Sequence, residues 1–234
     1  MDVFGSALVD QFNNDAAEIL WLHNSYDEPE EMPVDIFFRN ESEMPDLELF
    51  ALKQCKGKIL DIGAGVGSHS LILQRKGFEV AALELSSLAC SIMKQRGVKH
   101  IINNDIFSYQ EEKFDTLLLL MNGIGIAGNM KKIPVFLEQC KKLLKEGGQI
   151  IFDSSDISYL YEGNNLPEEN YFGEVSYQYE YKGVKGEWFD WVYIDKNLLT
   201  SIAKQFGFIC EIIFEDGHDQ YLAKFTPQIK YDFL

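Results

Sequence analysis

Apolar residues in this chain fall into short runs, several of them bounded by glycine, that alternate with stretches carrying apolar positions at helical spacing. The first such run holds Ile59, Leu60 and Ile62; after Gly63, Gly65 and Gly67 a helix is predicted over residues 68–76, stopped by Gly77. Residues 78–83 read as a second strand ending at Glu84, residues 87–96 as a helix capped by Ser86 and stopped by Gly97, and residues 98–103 as a third strand. Residues 116–121, opened by Phe114 and Asp115, are so rich in leucine that burial on both faces is implied, as in a parallel sheet. Pro134 suits the first turn of a helix whose apolar face is Ile133, Phe136, Leu137, Cys140, Leu143 and Leu144. Gly147 and Gly148 end it, and residues 149–153 form a fifth strand. A helix over 198–206 and two strands, 208–214 and 221–225, joined by residues 215–219, complete the pattern.

Two segments depart from this rhythm. Residues 4–22 read as one amphipathic helix, followed over 26–45 by an acidic, proline-punctuated loop with one short turn. Residues 154–194 are crowded with aromatics: Tyr177, Tyr179 and Tyr181 alternate, as do Phe189, Trp191 and Tyr193, so each set shares one face of a strand. A hairpin turning at residues 182–186 and lying over the carboxyl edge of the sheet is expected. Its aromatics could pack it onto the domain, form a homodimer contact, or line a pocket for an apolar or cationic ligand.

The glycine turn carries the chemistry. Glycines let the backbone bend sharply and approach a ligand at a helix start, which is how nucleotides are cradled. The spacing here is G-x-G-x-G rather than the G-x-G-x-x-G of dinucleotide sites, and Asp61 stands two residues before the first glycine. A carboxylate there would repel a pyrophosphate and favour a ligand with a cationic portion. Glu84, at the end of the next strand, can accept both hydroxyls of a ribose, which suits either kind of nucleotide.

The pattern D-x-G-x-G-x-G after an apolar strand closely resembles the first motif of class I S-adenosylmethionine-dependent methyltransferases, and the likeness covers roughly residues 46–227. It implies an α/β fold: a seven-stranded, mostly parallel Rossmann-like sheet with helices on both faces and an antiparallel last strand. To this the chain adds a β-hairpin insert and an N-terminal helical cap. A single domain is expected, divided into a cap (1–45), a cofactor-binding core (46–153), the aromatic insert (154–194) and a closing helix and hairpin (195–234).

The resemblance also implies S-adenosyl-L-methionine as cofactor. It places Asp61, Gly63, Ala64, Gly65 and Gly67 at its amino-acid portion, Glu84 and Leu85 at the ribose, Asp105 and Ile106 at the adenine, and Met121 and Asn122 beneath the methionine end. Arg39 is a candidate partner for the cofactor carboxylate, with a surface ion pair to Glu41 or Glu43 as the competing role. Methyl transfer needs alignment more than proton chemistry, so no catalytic residue is required; His218 and Tyr26 are the weak candidates for a base, and His69 is assigned a structural role.

Charge narrows the acceptor. With 21 basic against 37 acidic residues and a net charge of −16, the chain is poorly suited to bind nucleic acid, and the lysines near residues 131–145 read as a solvated helix face. A small-molecule acceptor is expected. Cys55, Cys90, Cys140 and Cys210 are far apart with no metal-ligand spacing, so no metal and reduced thiols are expected. No run is long enough to span a membrane, and a cytoplasmic location follows. An NAD-dependent oxidoreductase and a cofactor-binding protein without turnover remain the other readings.

Overall fold

Helix α1 (Val3–Asn13) begins because Asp2 Oδ1 accepts the Gly5 N–H at 2.7 Å and ends where Asn14 turns left-handed (φ 54°). The computed structural model describes residues 1–14, 18–162, 166–167 and 170–228. After α1 come strands β1 (Leu20–Asn24) and β2 (Glu30–Met32), two short 3-10 turns (Val34–Phe38 and Glu41–Glu43) and helix α2 (Asp46–Gln54). The alternation then sets in: β3 (Lys58–Ile62), α3 (Ser68–Arg75), β4 (Glu79–Glu84), α4 (Ser87–Arg96), β5 (Ile101–Asn103), β6 (Phe114–Leu119), a 3-10 turn at Gly123–Ala127, α5 (Ile133–Leu143) and β7 (Leu144–Ser155). The insert supplies a 3-10 turn at Ser158–Tyr161, β8 (Glu174–Tyr181), β9 (Val184–Lys185) and β10 (Phe189–Val192). Helix α6 (Lys196–Gln205), β11 (Phe208–Glu215) and β12 (Gln220–Pro227) close the chain.

Seven strands form the main sheet in the order β11-β12-β7-β6-β3-β4-β5, parallel from β5 to β7, with β12 antiparallel to β7. Both faces are buried, which is why its strands read as unbroken apolar runs. Leu117 and Leu119 of β6 face a core with Phe136, Leu137 and Cys140 of α5 and Leu199 and Ile202 of α6. Leu118, between them, faces the opposite core with Leu47, Ala51 and Leu52 of α2 and Ile72 and Leu73 of α3. The sheet therefore has helices on both faces and its last strand antiparallel, as the resemblance implied. No helix among the described residues is long and apolar enough to cross a membrane.

The N-terminal reading needs correction. The predicted helix over 4–22 stops at Asn14, and β1 pairs antiparallel with β8, Leu22 opposite Tyr179 and Asn24 opposite Tyr177. Leu20 and Leu22 alternate with Trp21 and His23, a period of two that buries the leucines against the insert, so tertiary pairing decides the conformation. The loop expected over 26–45 likewise contains β2 and the two 3-10 turns. The insert's strands are joined by the N-terminal segment in a second, all-antiparallel sheet of order β10-β8-β1-β2, with β9 on β8. Strand bounds also differ: β5 keeps only the last three residues of its prediction, β12 gains three, and β7 starts five residues early, at Leu144, which was expected on the apolar face of α5.

Candidate cofactor and acceptor site

The carboxyl ends of β3, β4 and β6 meet at the glycine turn. Gly63, Gly65 and Gly67 all have positive φ (71°, 55° and 81°), and a Cβ on Gly67 would lie 2.7 Å from Val98. Glu84 stands beside the turn: one carboxylate oxygen accepts the Gly65 N–H and the other the Ser86 N–H, both at 2.8 Å. Burial pushes the Glu84 carboxyl above its usual range, against the pull of these donors. Each oxygen keeps a free lone-pair direction for a further donor such as a ribose hydroxyl. Next to it Leu85 is 72% exposed, an apolar side chain left uncovered at the mouth of a cleft of about 390 Å³ lined by Asp2, Phe4, Glu84, Leu85, Ser86 and Ser87.

Asp61 does not open onto this space. Its side chain is 2% exposed and accepts the Ser70 hydroxyl at 2.7 Å; burial raises its pKa, opposed by the charge of His69. It therefore shapes the turn from behind. His69 belongs to a buried chain of alternating charge: its Nε2 lies 2.7 Å from one oxygen of Glu48, whose other oxygen accepts from the Arg39 guanidinium at 2.6 Å. Burial alone would lower His69, but the Glu48 hydrogen bond and the charges of Asp61 and Glu48 outweigh it, so it is held above its ordinary value. Glu48 is correspondingly held low: burial works against ionisation, and His69 and Arg39 overcome it.

Arg39 thus pairs with Glu48, neither with Glu41 nor with Glu43. Its Nε is buried and has no hydrogen-bond partner, the single such side-chain atom among the described residues. The segment carrying Arg39 rests on the glycine turn: the Phe37 carbonyl accepts the Ser68 hydroxyl at 2.6 Å, and Arg96 donates to the Val66 carbonyl at 2.7 Å while its guanidinium lies over the Phe38 ring.

Beyond β6 the chain makes an uncommon turn. Met121 and Asn122 are both left-handed (φ 66° and 56°), and neither is glycine. Asp153, fully buried at the end of β7, holds them: its two oxygens accept from the Asn122 and Gly123 N–H groups at 2.8 and 3.0 Å, and Gln220 adds a third donor at 2.7 Å. Burial pushes the Asp153 carboxyl up to about 6 despite these donors.

The second sheet roofs this region with aromatic rings. Phe4 of α1 meets Phe37 edge-on at 5.0 Å and stacks on Tyr179 at 5.1 Å; Tyr179 contacts Phe189 at 5.2 Å, and Phe189 contacts Trp191 at 6.3 Å. A Cβ on Gly125 would overlap the Trp191 indole, which fixes the roof onto the loop after β6. The ring series thus runs from the glycine turn to the Met121–Asn122 turn.

The remaining expected residues are less central. Asp105 is exposed and accepts the Phe107 N–H at 2.9 Å, and Ile106 is buried in the main core. His218 lies exposed in the turn between β11 and β12, with no side-chain hydrogen bond among the described residues. Tyr26 donates to Glu30 at 3.0 Å, and burial pushes its phenol further up, away from use as a base at neutral pH. Asp153 and Glu48 were missed. Asp153 ends the apolar run 150–152 as Asp61 interrupts its own strand, and that parallel was a readable signal; Glu48 gave none, since an acid among leucines in a helix reads as solvated.

Comparison with known proteins agrees with this fold. A family model described as a methyltransferase domain matches residues 60–152. A crystal structure of an S-adenosylmethionine-dependent methyltransferase from Bacteroides fragilis, in complex with S-adenosyl-L-homocysteine, is 40% identical with a TM-score of 0.90, covering 97% of this chain and 95% of the other. An S-adenosylmethionine-dependent methyltransferase from Clostridium acetobutylicum (17% identity, TM-score 0.58, 77% and 88% covered) and DhpI in its complex with SAM and HEP (16%, 0.62, 97% and 99%) share the fold. No curated protein matches the sequence. The chain belongs to the S-adenosylmethionine-dependent methyltransferases. Its cofactor is S-adenosylmethionine, which removes the oxidoreductase reading.

Proposed function

We propose that this enzyme methylates a small molecule held between the loop after β6 and the aromatic roof. The observation that carries the reading is the placement of Trp191 on Gly125 and of Tyr179 beside Phe4, which covers the cofactor edge of the sheet with side chains of the same chain. A covered site of this kind admits a small acceptor and keeps water from it, whereas a nucleic acid would meet a surface with a net charge of −16.

The residues present fit the cofactor. The orphaned Nε of Arg39 is a donor waiting for an anionic group such as the cofactor carboxylate. Glu84 has acceptor capacity for the ribose hydroxyls, Leu85 offers an apolar face for the adenine, and Asp105 a carboxylate at its rim. Gly63, Ala64, Gly65 and Gly67 supply the close backbone approach, and the left-handed Met121 and Asn122 present main-chain groups at the methionine end. Bound S-adenosylmethionine supplies a methyl group already activated on a sulfonium. What the protein adds is alignment and exclusion of water; only a hydroxyl or a protonated amine acceptor has a proton to lose, and an amine can lose it to water.

Incubation with labelled S-adenosylmethionine and a panel of small amines, phenols and carboxylates, followed by mass detection, tests this. A methylated small molecule is the expected result. Label appearing in protein or nucleic acid alone would overturn it.

A further inference from the structure

The inner face of the roof has a chemistry of its own. Tyr177 of β8 contacts Tyr26 edge-on (6.4 Å, 80°) and Phe189 at 6.0 Å, and its hydroxyl meets that of Tyr193 at 3.0 Å. The Tyr26 hydroxyl donates to Glu30, which also accepts from Asn24 at 3.3 Å and is itself exposed. Burial pushes the phenols of Tyr26, Tyr159, Tyr177, Tyr179 and Tyr193 up, and the carboxylates of Glu30, Glu84 and Asp219 add to the effect, so the tyrosines stay neutral. Trp191, on the same face, ties this cluster to the loop after β6.

We propose that the acceptor is a cationic amine, recognised by the ring faces of Tyr26, Tyr177, Trp191 and Tyr193 together with the carboxylate of Glu30. The inference rests on the small-molecule reading above and narrows it. Electron-rich ring faces attract an ammonium group, and the exposed carboxylate of Glu30 at their margin adds to the attraction. An anionic acceptor would meet the same carboxylates with the wrong sign. A neutral alcohol would need a base, which raised phenols do not provide. An ammonium has only to release one proton to water, past the exposed Glu30, before its nitrogen lone pair forms the N–C bond; the S–C bonding pair then remains on a neutral thioether.

The test compares choline with its uncharged isostere 3,3-dimethylbutan-1-ol, by calorimetric titration into protein saturated with S-adenosylhomocysteine. Choline should bind about tenfold more tightly than the isostere. Glu30→Gln, at an exposed position, should reduce that preference to about threefold or less. S-adenosylhomocysteine affinity measured on the same samples reports that the donor side is intact. Equal affinity for both probes, or an unchanged preference in Glu30→Gln, overturns the assignment. In the labelled panel, methylation of phenols or carboxylates alone overturns the cationic acceptor but leaves the small-molecule function standing; label in no small molecule overturns both.

Discussion

The Arg39 guanidinium lies 2.6 Å from a Glu48 oxygen, yet its own Nε has no partner. A buried donor left in this way is a cost to the free enzyme that an anionic ligand group can remove. Arg39→Lys keeps the charge and loses the planar fork, so S-adenosylhomocysteine should bind about tenfold more weakly in calorimetric titration. A fall in melting temperature with unchanged affinity would reduce Arg39 to a structural partner of Glu48.

Glu84→Gln retains the side-chain length but replaces one acceptor oxygen by a donor. Affinity for S-adenosylhomocysteine should fall about tenfold, with the fold preserved by circular dichroism. Unaltered affinity would remove Glu84 from the ribose site.

His69 gives a pH dependence with a definite sign. Its folded pKa lies above the ordinary 6.5, so the folded chain holds the proton more tightly than the unfolded one. The stabilisation is complete below pH 6.5 and is lost as pH rises through the folded value. The wild-type advantage in melting temperature over His69→Gln should therefore be largest at acid pH and shrink from pH 6.5 upward. A gap that widens with pH would contradict the charge chain.

Asp153 holds the left-handed Met121–Asn122 turn with oxygens that accept from three donors. Asp153→Asn sets an amide N–H against one of those donors, and a loss of about 1–3 kcal/mol in denaturant unfolding is expected. Turnover should fall as well, because the loop that carries Gly125 and receives Trp191 would be released. A variant as stable as the wild type would mean that the turn holds without its carboxylate.

The main sheet was legible because its strands are buried on both faces and glycines punctuate most of its connections; Leu117, Leu118 and Leu119 could belong to little else. The glycine turn, Glu84 and the strand ends followed from the same register. The roof was not legible as a whole. The alternation of Tyr177, Tyr179 and Tyr181 was visible, but their partner strand lies at residues 20–24, and nothing local in Leu20 or Leu22 tells a strand from the end of a helix. Arg39 could be singled out, while its partner could not, since pairing with Glu48 depends on α2 packing beneath the turn. Asp61 was placed correctly in the strand, but its burial and its hydrogen bond from Ser70 were not legible.

The roof is stitched from two ends of the sequence: His23 of β1 bonds to Glu180 of β8, 157 residues later. On a ribosome, the strands from β3 to β7 emerge and can pair while β1 still waits for its partner. Closing so large a loop is slow, and its cost is recovered only when β8 arrives. The floor that holds the donor is therefore expected to form before the chamber that receives the acceptor, and each newly made molecule would pass through a stage in which it can grip its cofactor before it has anywhere to put a substrate.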